Sequence, residues 1–147
     1  MKKTVFSLLV FSLVFSFTAC GGSGSSEKPS KKSEEPKKID LAGDWKQSNS
    51  GSDESYQVAT IQNDVIEIFW YSEEDETKAL YWSGTYAAPE DAKEPYSWVS
   101  DNDREKTDGA LLASGDDTKT FTYEKGQLSY EVSALGVTQT VRLEKAK

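Results

Sequence analysis

Carboxylates are nearly all that this chain offers for catalysis. It has 147 residues, no histidine and one cysteine, Cys20. A Ser-His-Asp or Cys-His site therefore lacks its base. A zinc site lacks its usual nitrogen and sulfur ligands. Acid–base work would fall to a pair such as Glu67 and Glu131, which suits glycoside hydrolysis if strand pairing brings the two within about 5–10 Å. Both occupy positions that read as solvated, and the 22 acids between residues 39 and 147 make chance pairs common. The expectation is a protein that is not an enzyme. "DNDREKTD" (Asp101–Asp108) alternates oxygen-bearing side chains, as calcium loops do. An EF-hand needs glycine at its sixth position and glutamate at its twelfth, where this chain has Lys106 and Leu112. It reads as a solvated acidic loop, as does "SEEDE" (Ser72–Glu76). Neither a metal nor another cofactor is expected.

The remaining reactive group is the thiol of Cys20. It follows a basic start, Met1-Lys2-Lys3, and an uncharged stretch from Thr4 to Ala19 rich in Val, Leu and Phe. This is the layout of a secretory signal. The stretch is shorter than the roughly 20 apolar residues of a membrane span, and the polar "GGSGSS" follows it. Within it, "FTAC" (Phe17–Cys20) resembles the lipobox of bacterial prolipoproteins, with Phe17 where leucine is usual. The resemblance covers only about the first 22 residues. It implies that residues 1–19 are removed between Ala19 and Cys20, and that Cys20 carries a diacylglyceryl group and palmitate-type acyl chains. A thiolate is a suitable nucleophile for accepting a lipid, and two chains hold a protein at a bilayer where one does so only marginally. A thiol without a role and half of an intermolecular disulfide are the alternatives. The implied location is the extracytoplasmic face of the cell membrane, with membrane lipid as the partner of Cys20.

Gly21–Lys38 contains only Gly, Ser, Pro, Lys and Glu. Such a segment buries too little apolar area to offset its ordering entropy and is expected to be a disordered tether. Its 18 residues would reach about 25 Å. Together with Cys20 it forms the segment 20–38.

Residues 39–147 read as one domain. Ten of the chain's 17 basic residues and 22 of its 25 acidic ones lie there, a net charge of −12. That balance argues against nucleic acid as a partner. Thirteen aromatic residues supply a core. Two-residue alternation recurs. Ile66, Ile68 and Trp70 share a face, as do Leu80, Trp82 and Tyr86, with Tyr81 opposite. Leu128, Tyr130 and Val132 share another, and Val137, Val141 and Leu143 point inward. Turns are expected at "SEEDET", at "EKGQ" around Gly126 and at "ALG" before Val137. The predicted fold is all-β: a single antiparallel meander of seven or eight strands, closed into a barrel that leaves no open edge.

"LAGDWKQ" opens the domain, and its Gly43-Asp44-Trp45 is similar to the glycine-any-tryptophan motif on the first strand of lipocalins. The motif covers three residues. It implies an up-and-down barrel closed at one end by Trp45, with a small apolar ligand inside. Trp45 as a plain core aromatic is the alternative. Tyr71 and Tyr81, read as facing away from the apolar side and flanking the same hairpin, are candidate contacts for a ligand or partner. The function expected is a non-enzymatic binding module, monomeric and displayed at the cell surface, for a small ligand or a partner protein. The alternative is a structural or regulatory lipoprotein acting on a membrane neighbour, in the manner of phage-exclusion lipoproteins. A carboxylate-dependent hydrolase is the remote alternative.

Overall fold

A computed structural model describes residues 39–91 and 93–147. The expected signal segment, cleavage site, Cys20 and tether lie outside these residues. Eight strands follow in order: β1 (Gly43–Gln47), β2 (Ser55–Gln62), β3 (Val65–Ser72), β4 (Thr77–Thr85), β5 (Tyr96–Asp101), β6 (Thr118–Glu124), β7 (Gln127–Ala134) and β8 (Val137–Lys145). A single helical turn, α1 (Arg104–Thr107), lies between β5 and β6.

Three hairpins close with two residues each, both at positive φ. They are Asn63-Asp64 (51° and 61°), Lys125-Gly126 (52° and 84°) and Leu135-Gly136 (52° and 78°). Such turns carry a twist that matches the strands they join. The acidic β3–β4 hairpin uses Glu73 to Glu76 instead, with Glu76 at φ 51°. The turns expected around Gly126, before Val137 and at Ser72–Thr77 are therefore all present.

The sheet order is β4-β3-β2-β1-β8-β7-β6-β5, with every pairing antiparallel. This is an all-β, up-and-down, nearly closed barrel, as the alternation predicts, and its shape is compatible with a lipocalin-like fold. First and last strands pair, so the seam falls between β4 and β5. One bridge crosses it, Gly84 to Asn102. The outer edge of β4 is covered by other means. Asp103 N donates to Ser83 O (2.8 Å) and Ser114 N to Tyr81 O (2.8 Å). Trp98 Nε1 donates to Thr85 O (3.3 Å) and Asp101 N to Thr85 Oγ1 (2.9 Å). An edge occupied in this way does not template foreign strands.

The inward positions fill the barrel. Ile66, Ile68, Trp82, Phe121, Leu128 and Leu143 are wholly buried, with Leu41, Trp45 and Ile61 close behind. An eight-stranded barrel is just wide enough for side chains to fill it or to hold one small ligand. Trp45 belongs to this core, at the end where the chain enters. Its Nε1 donates to Leu41 O (3.0 Å), Tyr123 meets it edge-on, and Lys145 Nζ lies 5.9 Å from its ring centroid. Gly43 adopts φ 115°, beside the Lys145 stem. Both motif residues thus have a structural role: the glycine for its backbone, the tryptophan for closure of that end.

Three face assignments change, those of Leu80, Tyr81 and Val137. The β3–β4 ladder pairs Ile68 with Trp82 but Phe69 with Leu80, so Tyr81 is the extra residue of a β-bulge. Strict alternation puts Leu80 inside with Trp82 and Tyr81 outside. The bulge reverses both, leaving Leu80 half-buried on the outer wall opposite Phe69 and turning Tyr81 inward beside Trp82, where it is 6% exposed. Val137, expected inside, is 59% exposed. It lies on the outer part of the β7–β8 hairpin, where Ser133 to Thr140 are exposed on both faces.

Candidate functional site

The two ends of the barrel differ in chemistry. The Trp45 end is apolar. At the other end the inward positions of three strands carry polar groups: Gln57 on β2, Lys119 on β6 and Tyr130 on β7.

Gln57 is in phase with Ala59 and Ile61 and is wholly buried. Its backbone N–H donates to Gln47 Oε1 (2.8 Å), and its side-chain Oε1 accepts from the Tyr130 hydroxyl, reaching across the barrel. Its Nε2 has no hydrogen-bond partner among the described residues. A buried unpaired amide costs about 1–3 kcal/mol, so a core built only for stability would carry an apolar residue here. Burial pushes the Tyr130 phenol well above its ordinary value, helped by neighbouring Tyr81. Tyr130 is therefore a neutral donor at physiological pH.

Lys119 is in phase with Phe121 and Tyr123. Its ammonium meets Asp116 Oδ2 at 2.6 Å and Glu131 O at 3.4 Å. It also lies 5.2 Å from the Tyr81 ring centroid and 5.4 Å from that of Trp82. A cation held between rings and a carboxylate tolerates burial that an isolated one does not. Asp116 sits in the β5–β6 connection. Hydrogen bonds from Lys119 and then Ser114 hold its carboxyl below the ordinary value. The partners are unequal: the Lys119 side chain is 4% exposed and that of Asp116 57%.

Beside these groups the barrel wall opens. The β6–β7 ladder stops after Thr122↔Ser129, three pairs from the hairpin, although β7 pairs with β8 along its full length. Phe121 and Tyr130 still pack ring to ring at 5.1 Å, but beyond them the strands part. The resulting groove has a volume of about 430 Å³. Lys119 and Tyr130, at inward positions, line it together with Thr120, Thr122, Ser129, Glu131 and Ser133.

The residues singled out in the sequence do not come together. Trp45 is buried at the opposite end. Tyr71 lies half-buried on the outer wall against Tyr56 (5.3 Å between centroids), with Lys78 6.0 Å from its ring. Tyr81 is inside, against Trp70 and Tyr130. Glu67 and Glu131 stand on strands four places apart around the barrel, both on its outer face. Glu67 is ion-paired with Lys106 at 2.8 Å. In Asp101–Asp108, Arg104 pairs with Asp108 and Asp117, and Lys106 with Asp103. Among the described residues no three Asp, Glu, His or Cys side chains are grouped to hold a metal, and no helix is long and apolar enough to cross a membrane. Gln57, Lys119 and Asp116 escaped the sequence reading. A signal existed for two of them: Lys119 alternates in phase with Phe121, and Gln57 with Ala59 and Ile61.

Comparison with protein-family models, curated proteins and solved structures yields no match to this chain.

Proposed function

We propose that this protein is a lipoprotein, anchored through Cys20 at the extracytoplasmic face of the cell membrane, whose barrel is a non-enzymatic binding module for a small ligand. The "FTAC" sequence supports the anchor. The observation that carries the binding reading is the groove between β6 and β7, lined by the buried Lys119 and by Tyr130, behind which the Gln57 amide Nε2 has no partner among the described residues. The groove's volume of about 430 Å³ falls within the range of about 300–1,000 Å³ of small-molecule pockets, and its lining is polar throughout.

Two experiments test this. Cells fed radiolabelled fatty acid should label the wild-type chain and leave Cys20→Ser unlabelled; label on the mutant refutes the anchor. Titration of fractionated cell metabolites should shift the tryptophan fluorescence of the full-length chain, since Trp82 and Trp70 both lie near the polar end. A signal that no fraction moves refutes ligand binding.

A second reading, a protein contacting a membrane neighbour, is favoured by the β7–β8 hairpin. It projects Leu135, fully exposed, and Val137 at its tip, while Leu111 and Leu112 are exposed in the β5–β6 connection. Crosslinking in intact cells from a photoreactive group at Leu135 should then recover one dominant membrane protein, and a diffuse background would count against this reading.

A further inference from the structure

We infer that the groove between β6 and β7 is a site for a small polar monocarboxylate, and that Asp116 occupies the carboxylate position when no ligand is bound. This rests on the ligand-binding reading above and names its chemistry.

Lys119 is the starting point. Among the described residues it is the one buried charged side chain, and one apolar residue of similar volume would remove the cost of desolvating it. It lines the groove, with its side chain only 4% exposed. What neutralises it is not a second buried group but the side chain of a connecting segment, more than half exposed. A ligand carboxylate can therefore replace that of Asp116 by displacing a surface side chain alone. The cation stays paired, and the rings of Tyr81 and Trp82 stay in place behind it. The exchange conserves the charge of the buried pair, so it avoids leaving an uncompensated ion in low dielectric.

Two further features narrow the ligand. Tyr130 lines the groove beside Lys119, with its hydroxyl committed to Gln57 Oε1 in the core behind it. The outer rim offers the hydroxyls of Thr120, Thr122 and Ser129 together with the carboxylate of Glu131. Hydroxyls favour a polar body. Glu131, in a domain of net charge −12, repels a second negative charge and suits an uncharged or ammonium-bearing remainder. The class is thus a monocarboxylate with amide, hydroxyl or amino groups, of which N-acetylalanine and alanine are simple probes.

The test titrates the full-length chain with N-acetylalanine, alanine, alaninamide and succinate, following tryptophan fluorescence and the Trp82 indole N–H signal. The two monocarboxylates should shift both signals, with alaninamide and succinate much weaker. Asp116→Asn removes the internal competitor. If Asp116 covers Lys119 in about nine molecules of ten, the mutant should bind about tenfold more tightly. Lys119→Met should abolish binding. Asp116→Asn binding no tighter than wild type overturns the inference, whether or not Lys119→Met folds. So does alaninamide binding as well as alanine. A neutral metabolite that shifts the signal equally in wild type and Lys119→Met would overturn the carboxylate assignment and leave the ligand-binding reading standing. Failure of every metabolite fraction and probe would remove both.

Discussion

Gly84→Ala tests how the barrel closes. Gly84 forms the one bridge across the β4–β5 seam, to Asn102. A Cβ built there would lie 2.4 Å from Asp101 O, 2.4 Å from Ser100 Oγ and 2.7 Å from Trp82 Nε1. The first of these is backbone and cannot rotate away, so β5 must retreat by about 1 Å to restore ordinary contact. Overpacking of this kind costs about 1–3 kcal/mol. The retreat also disturbs the Trp82 Nε1 to Ser100 Oγ bond, 3.1 Å and fully buried, which adds about 1 kcal/mol. The expected loss is about 3 kcal/mol, or roughly 12 °C in Tm at about 4 °C per kcal/mol for a domain of this size. Thermal and urea unfolding measure it. Gly115→Ala, which meets nothing within 4 Å, is the control and should stay within about 0.5 kcal/mol of wild type. Faster hydrogen exchange at the Asp103 and Ser114 amides, which cover the β4 edge, should accompany the loss. If Gly84→Ala costs no more than the control, the seam does not depend on the close approach described, and the account of closure fails.

Other outcomes follow from the same geometry. Tyr130→Phe leaves both side-chain polar atoms of Gln57 unpaired and should cost about 1–3 kcal/mol, whereas adding Gln57→Leu should recover most of it, giving a coupling of about 1 kcal/mol in a double-mutant cycle of urea unfolding. At high pH, Tyr86, pushed by burial from 10.0 to about 12, and Tyr130 hold their protons more firmly folded than unfolded. The Tyr86 contribution is complete below pH 10 and is lost as pH rises toward 12, so phenolate absorbance should rise at higher pH in the folded chain than in the unfolded one, with Tyr130 also delayed by its burial. Gly43→Ala, forced to φ 115° beside Lys145, should lose about 1 kcal/mol or more through backbone strain alone, read as a lowered Tm with unchanged strand content in circular dichroism.

Most of the fold is legible in the sequence because a barrel wall enforces a period of two. Wherever Ile, Leu or aromatic residues alternate with polar ones, as in "QLSYEV" and "VIEIFWY", the inward set is the one found buried. Reading fails where that period breaks. Tyr81 reads as external because nothing local marks a bulge: Phe69 and Leu80 are a plausible outer pair only once the register has slipped by one. Val137 alternates correctly with Val141, yet the β7–β8 hairpin continues past the point where β6 leaves it, and alternation cannot say where the barrel stops. The polar end leaves less trace in the sequence. Gln57 and Lys119 sit in phase with apolar neighbours, but a single polar residue on an inward face is also what an edge or a mouth position looks like. Only pairing across the barrel, 73 residues apart for Gln57 and Tyr130, separates these cases.

The difference between the two ends bears on what the domain is for. At the Trp45 end every group has its complement: the indole N–H meets Leu41 O, the ring is covered by Tyr123 and the Lys145 stem, and Gly43 supplies the backbone angle that brings them together. That is a closure, and stability accounts for it. At the Lys119 end the groups are satisfied unevenly. A buried amide lacks a partner, a buried cation depends on an exposed carboxylate, and two strands that pair at one end part at the other. Each of these costs stability that an apolar side chain or a continued ladder would restore. Replacing Gln57 and Tyr130 together by Leu and Phe should therefore leave the barrel about as stable as wild type, and the fluorescence titration of this variant decides what the two residues serve. Stability kept with binding lost would assign these residues to recognition; binding kept would return them to the core.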